Sequence, residues 1–366
     1  LLAAVSCSQF SACASPPERQ SPPAQNASFV AVAQRNLVRL DSDHDGTLTL
    51  DELELALQDP QYRDEDAAAV AALFWGAQPA KGSQVPGSYR IKGPNPDFDK
   101  SRLARADGGV AVATVGARYY RAGLTKLRNA NRSLFASTGP QITAIRQTWD
   151  SDCYFNSAVG AVALATPERI LQMIQKEGRS YRVTFPARAS QLVAEPTDAE
   201  LAAFTSASDG IWFNLLEKAY SPHKRVRPET PNADSLYNVA LVGGDGGEVL
   251  QWLTGHSTQR VPLPTKSGKS ASPQFDDEVR QTMIAAQRDH RAMIAGMHSH
   301  SYAVVGFDAA LDRVRIHNPY DNAGVERLSG GQQVQRDAEG YFTVTLRQFV
   351  DSFGVMAVEQ TRDLGR

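Results

Sequence analysis

The stretch Gln147-Thr-Trp-Asp-Ser-Asp-Cys153-Tyr-Phe155 decides how the rest of the chain is read. It holds the only cysteine beyond residue 13 and opens a run in which Phe155, Ala158, Val159, Val162 and Ala165 recur at helical spacing. That spacing predicts a helix with one face on a core and Cys153 at its N-terminus. Unpaired backbone N–H groups and the helix dipole favour a thiolate there, so the expectation is a lowered cysteine pKa and a nucleophile near neutral pH. A lone cysteine is otherwise a small buried hydrophobe. The chemistry therefore has to be sought in its partners.

A cysteine nucleophile needs a base, and the base needs a group to orient it. Two of the seven histidines stand close together, His298 and His300, just before an apolar strand pattern at Tyr302-Ala-Val-Val305. The next strand pattern, Arg313-Val-Arg-Ile316, runs into His317-Asn318-Pro-Tyr320. Cys153 and His300 are 300 − 153 = 147 residues apart. The order Cys, His, Asn matches the papain-type arrangement. Two adjacent antiparallel strands would set the imidazole of His300 beside the amide of Asn318, with His317 pointing to the opposite face.

These segments resemble the catalytic core of the calpain family. Gln147 to Phe155 resembles Gln-Gly-x-x-Gly-Asp-Cys-Trp, Ser299-His-Ser-Tyr-Ala-Val304 resembles Gly-His-Ala-Tyr-Ser-Val, and Asn318-Pro-Tyr320 resembles Asn-Pro-Trp-Gly. Leu215-Leu-Glu-Lys-Ala-Tyr220 matches a helix of that core, and Tyr341 to Phe353 its closing strand and helix. The resemblance covers roughly Pro140 to Glu359 and implies the following roles. Cys153 attacks the scissile carbonyl, His300 is base and then acid, and Asn318 orients His300. Gln147, with the Cys153 backbone N–H, receives the oxyanion. His298 has no matching position and reads as a surface residue. Thr148 and Ser151 stand where the family has Gly, Tyr154 and Tyr320 where it has Trp, and Asp321 where it has Gly. The calcium ligands of the calpain core do not map onto this chain.

Upstream, Phe29, Val30, Ala33, Leu37 and Leu40 predict a helix. It runs into Asp41-Ser-Asp-His-Asp-Gly-Thr-Leu-Thr-Leu-Asp-Glu52, which fits the EF-hand pattern. Asp41, Asp43 and Asp45 offer side-chain oxygens, Thr47 a carbonyl, Thr49 a water-mediated contact and Glu52 two oxygens, while Gly46 makes the turn. Hard oxygen donors in this number suit Ca²⁺. No second intact loop follows, and Asp64 to Trp75 reads as a helix packed against the lone hand.

The first residues read as the tail of an export signal. Phe10-Ser-Ala-Cys13 resembles a bacterial lipobox, Ala4-Val-Ser-Cys7 is a second candidate, and the Pro/Ser-rich stretch after it reads as a tether. The expectation is a membrane-anchored, extracytoplasmic lipoprotein carrying lipid on Cys13 or Cys7, a cytoplasmic protein being the alternative. No run of about 18 apolar residues predicts a membrane-spanning helix. A formal net charge of -2 and the lack of a basic patch interleaved with aromatics give no case for nucleic-acid binding. Three cysteines cannot form a disulfide framework.

The chain of 366 residues is long enough for two or three compact units. The expectation is an α+β, papain-like cysteine peptidase core. A helical half over 140–225 carries Cys153, and a β-rich half over 226–366 carries His300 and Asn318. A tether over 1–28, an EF-hand module over 29–77 and a connector over 78–139 precede it. The predicted activity is endoproteolysis of protein or peptide substrates. A non-catalytic calcium-binding surface protein and a thioester acyl transferase are the alternatives these residues leave open.

Overall fold

The computed structural model describes residues 28–78, 89–90, 112–136, 138–147, 151–186, 188–205, 207–224, 243–264, 272–320 and 323–363. Cys7, Cys13, the tether, Thr148 and Asp321 lie outside them. The fold is mixed α and β.

The first unit is helical. Helix α1 (Phe29–Leu40) starts where the Ser28 hydroxyl accepts from the Ala31 N–H at 3.3 Å, and it buries Phe29, Val32, Ala33, Leu37 and Leu40. After the acidic loop comes strand β1 (Thr47–Leu48) and then α2 (Leu50–Gln58). A capping box between Thr49 and Glu52 satisfies two otherwise orphaned donors at the α2 N-terminus. Helix α3 (Asp64–Ala77) buries all of its last eleven residues and forms the centre of this core.

The expected connector adds two elements to the same unit. Strand β2 (Tyr89–Arg90) pairs antiparallel with β1, and α4 (Val112–Asn129) places Tyr120 and Leu124 in the core. At Gly116 the ring of Phe29 presses so close that an added Cβ would stand 2.3 Å from it. Glycine is the residue that permits this α1–α4 approach.

The second unit is built on α5 (Cys153–Ala165), which buries every residue from Tyr154 to Ala163. Its neighbours are α6 (Pro167–Met173), the antiparallel strands β3 (Ile174–Glu177), β4 (Ser180–Val183) and β5 (Gln191–Ala194), and helices α7 (Asp198–Ala203) and α8 (Trp212–Tyr220). Pro167 opens α6, where its missing N–H costs no hydrogen bond, and Thr166 makes no capping bond to it. Phe155 meets Phe213 edge-on at 5.7 Å and Tyr220 at 5.1 Å, joining α5 to α8.

Helix α7 belongs to two cores at once. Its Leu201 packs with α5 and α8, whereas Ala199, Ala202 and Ala203, with Phe204 beyond it, complete the core of the first unit. The Trp75 indole N–H donates to the Ala203 carbonyl at 2.9 Å, the Lys126 ammonium to those of Ala203 and Phe204, and the Thr197 hydroxyl to Leu57. The N-terminal unit is thereby bonded onto the half that carries Cys153.

The third unit is a six-stranded antiparallel sheet. It comprises β6 (His256–Pro262), β7 (Met293–Met297), β8 (His300–Asp308), β9 (Arg313–His317), β12 (Tyr341–Thr345) and β13 (Val355–Asp363), in the order β12-β9-β8-β7-β13-β6. A separate hairpin of β10 (Gly324–Arg327) and β11 (Gln333–Arg336) lies between β9 and β12 in sequence. Helices α9 (Gly246–Thr254), α10 (Pro273–Arg288) and α11 (Leu346–Ser352) complete the chain.

Alternation along the strands gives the sheet two covered faces. Ile294, Ala303 and Ala357 join the core of α5, while Met293, Ala295, Tyr302, Val304, Met356 and Val358 face the core shared with α10 and α11. Helix α5 therefore lies directly on the sheet, and its N-terminus meets the start of β8.

Candidate functional site

Cys153 is the first residue of α5, and Asp152 before it is fully buried. The Asp152 carbonyl accepts from the backbone N–H of Phe155 at 2.8 Å and of Asn156 at 3.0 Å, and from the Asn156 amide at 3.0 Å. The tip of the helix is held rigidly by these bonds. Cys153 itself is part-buried and free of disulfide.

His300 opens β8, directly after a tight turn in which His298 adopts a left-handed φ of 56°. Its Nε2 lies 2.9 Å from Oδ1 of Asn318, which follows the last residue of β9. The Tyr320 ring stacks on the imidazole at 4.8 Å with 8° between planes, and Tyr302 meets it edge-on at 4.8 Å. Gln147 is 4% exposed, and its backbone N–H donates to the Pro319 carbonyl at 2.9 Å. That bond ties the segment before Cys153 to the turn after Asn318.

Gln147, Cys153 and His300 line one cleft of about 680 Å³, with Tyr320 at its edge. The α5 side supplies the thiol and the sheet side the imidazole. The far wall is the backbone of Gly243, Gly244, Gly246 and Gly247, with the ion pair of Asp245 and Arg260. His298 is exposed, as the sequence suggests, and also borders this cleft. His317 is buried at 2% exposure, its ring 4.8 Å from Tyr341.

The lowered cysteine pKa expected from the helix N-terminus is not what the fold produces. Burial pushes the Cys153 thiol up, and the Asp152 charge adds to this, while hydrogen bonds from Ser301 and the Tyr154 backbone act the other way. Burial also pulls His300 below the ordinary imidazole value, against the hydrogen bond to Asn318 and the charge of Glu326. At neutral pH both shifts favour a neutral thiol facing a neutral imidazole.

No family model matches the chain, and no curated protein matches its sequence. What the cleft can do chemically rests on its own geometry.

Three residues of the site carried no sequence signal. Ser301 follows His300 and bonds to the sulfur. Glu326 on β10 accepts from the Asn318 amide at 2.5 Å and the Tyr302 hydroxyl at 3.1 Å, and Arg336 on β11 pairs with it. Nothing local distinguishes Glu326 from an ordinary solvated strand residue; its burial is created by the hairpin folding back on β8.

In the acidic loop, Asp41, Asp43 and Asp45 have oxygens within 4.8 Å of one another. Asp41 is 5% exposed, and its Oδ1 has no hydrogen-bond partner among the described residues. Asp41 Oδ2 accepts from the Gly46 N–H at 3.0 Å, and Gly46 takes the φ of 85° that the turn requires. Glu52 turns onto the loop: Oε1 accepts from the Ser42 N–H at 2.7 Å and Oε2 from the Thr49 N–H at 2.8 Å. The three aspartates thus gather, whereas Glu52 and Thr49 are engaged in capping α2. No helix among the described residues is long and apolar enough to cross a membrane.

Proposed function

We propose that this protein is a papain-like, calpain-like cysteine endopeptidase. The observation that carries the proposal is the 2.9 Å contact of His300 Nε2 with Asn318, in a site where His300, Cys153 and Gln147 border one cleft.

In this reading the peptide lies along the glycine wall, with its carbonyl carbon against the Cys153 sulfur. The thiol proton passes to Nδ1 of His300 as the S–C bond forms. The oxyanion takes hydrogen bonds from the Gln147 side-chain amide and the Cys153 backbone N–H, a type of interaction worth about a hundredfold or more in rate. His300 then gives its proton to the departing amine, the C–N bond breaks, and a thioester remains. Water, deprotonated by His300, attacks the thioester, and the sulfur leaves with the proton back.

Labelling tests this reading directly. An epoxide or vinyl-sulfone thiol reagent should modify Cys153 and stop cleavage of a casein-type substrate, and Cys153→Ala should be inactive. Cleavage by Cys153→Ala at the wild-type rate would remove the peptidase from the account.

The same proposal assigns Ca²⁺ to the loop as an EF-hand ligand. Asp41, Asp43, Asp45, the Thr47 carbonyl and Glu52 would hold it, with Thr49 acting through water. The buried, unpartnered Asp41 Oδ1 supports the assignment, because such an oxygen costs free energy until a proton donor or a cation meets it. The β1–β2 pairing holds the loop against the segment between α3 and α4. Bound Ca²⁺ would supply charge neutralisation to this unit, and so stability or docking.

A further inference from the structure

Behind His300 and Asn318 lies a buried polar cluster whose other members, Glu326, Tyr302 and Arg336, have no part in the reaction as described. Glu326 is 6% exposed, Tyr302 3% and Asn318 2%. The Glu326 carboxylate is fully engaged, with Asn318 Nδ2 at 2.5 Å and Arg336 on Oε1, and the Tyr302 hydroxyl at 3.1 Å on Oε2. A buried carboxylate is strongly unfavourable without such partners. Gly324 makes the cluster possible: it faces Arg336 across the hairpin, and a Cβ on it would stand 2.7 Å from the guanidinium.

The consequence is a fixed direction for the Asn318 amide. A carboxylate only accepts, so Nδ2 must face Glu326. On the other side the Tyr320 backbone N–H donates to Oδ1 at 3.0 Å, which only an oxygen can receive. Oδ1 is therefore the atom 2.9 Å from His300 Nε2, and Nε2 must carry the proton. A neutral imidazole with its proton on Nε2 has its lone pair on Nδ1.

We propose that Glu326 is a positioning residue that sets the tautomer of His300 by holding the Asn318 amide in one orientation. The role of Nδ1 as base rests on the peptidase reading; the tautomer does not. Arg336 matters for a second reason. The charges of Glu326 and Arg336 act on His300 in opposite senses, so the pair orients the ring without adding a net charge behind it.

Two substitutions separate orientation from charge. Glu326→Gln removes the charge but retains an oxygen where Asn318 and Arg336 are bound. Glu326→Asp retains the charge and withdraws the acceptor by about 1.5 Å, one C–C bond. The readout is the ¹⁵N resonances of the His300 ring, assigned with His300→Gln and followed against pH without substrate, together with kcat and KM for a peptide. Wild type and Glu326→Gln should both hold the neutral ring as the Nε2–H tautomer, with kcat within a few-fold. Glu326→Asp should show mixed tautomers and lose at least tenfold in kcat with KM little changed. The reverse order, or a single Nε2–H tautomer and full kcat in Glu326→Asp, overturns the proposal. A protein that follows the expected tautomer order but cleaves no peptide would overturn the peptidase reading and leave this one standing.

Discussion

The acidic loop and the Cys153 cleft each use a few polar side chains on an apolar scaffold, yet they are assembled in opposite ways. The loop is one unbroken dozen residues, and a glycine turn with capping bonds brings Asp41, Asp43 and Asp45 together. The cleft draws Gln147 and Cys153 from one half of the core and His300, backed by Asn318, from the other, more than a hundred residues later. A local site survives rearrangement of the rest of the molecule, whereas a split site depends on how two halves pack. Helix α7 connects them, because its apolar residues complete one core while Leu201 enters the other.

The comparison can be broken most sharply at His300. His300→Ala should reduce peptide hydrolysis by roughly 10⁴-fold or more, as loss of a catalytic base does. The heat of Ca²⁺ binding should not change. If titration calorimetry finds that Ca²⁺ binding falls together with activity, the two sites are not independent.

The next effect concerns the buried neighbour of Asn318. Burial lowers the His317 pKa to about 4, against the Glu339 carbonyl and the Asp337 charge, with Arg336 and Arg315 adding to the depression. The unfolded chain, near about 6.5, takes up a proton that the fold refuses. The stabilising contribution is therefore complete above about 6.5 and is lost as pH falls toward 4, about 3 kcal/mol in all. Denaturant titrations of wild type and His317→Leu should differ in pH slope over that window; parallel slopes would refute the assignment.

At the loop, Glu52→Gln should remove the Ca²⁺-dependent part of stability. At a hundredfold excess over Kd that part is about 2.7 kcal/mol. Melting curves with and without Ca²⁺ should separate for wild type and coincide for the variant. Equal separation in both proteins would take Glu52 out of the site.

The smallest expected effect lies in the connection. Trp75→Phe keeps most of the ring burial but deletes the bond to the Ala203 carbonyl, at a cost of about 1 kcal/mol. Proteolysis of the variant should begin between the N-terminal unit and α7. Cutting first at the cleft would show that this bond does not limit separation of the two cores.

The acidic loop was legible because its carboxylates and turn glycine occupy fixed offsets within one segment, whereas the cap that engages Thr49 and Glu52 was not read. The helix at Cys153 was legible for the same kind of reason, its apolar residues recurring at one period. The strands at Tyr302, Arg313 and Tyr341 were read from alternation. The role of the 78–139 segment was not, because a two-residue strand is too short to show a period, and the helices on which α4 packs, α1, α3 and α7, lie far from it in sequence.

By itself, the sequence singled out Cys153, His300, Asn318 and Gln147 as candidates for one site, and the loop that gathers three carboxylates. Tertiary structure decided their electrostatics. The helix N-terminus promised a thiolate, but packing α5 onto the sheet removed solvent from the sulfur, and desolvation outweighed the hydrogen bonds from Ser301 and the Tyr154 backbone that favour the thiolate. Tertiary structure likewise put Glu326 behind Asn318, since only the folded hairpin turns an unremarkable glutamate into a buried acceptor. Periodicity and spacing are local quantities that a sequence can display. Burial and orientation are produced by contacts between distant segments, and they appear only when the halves meet.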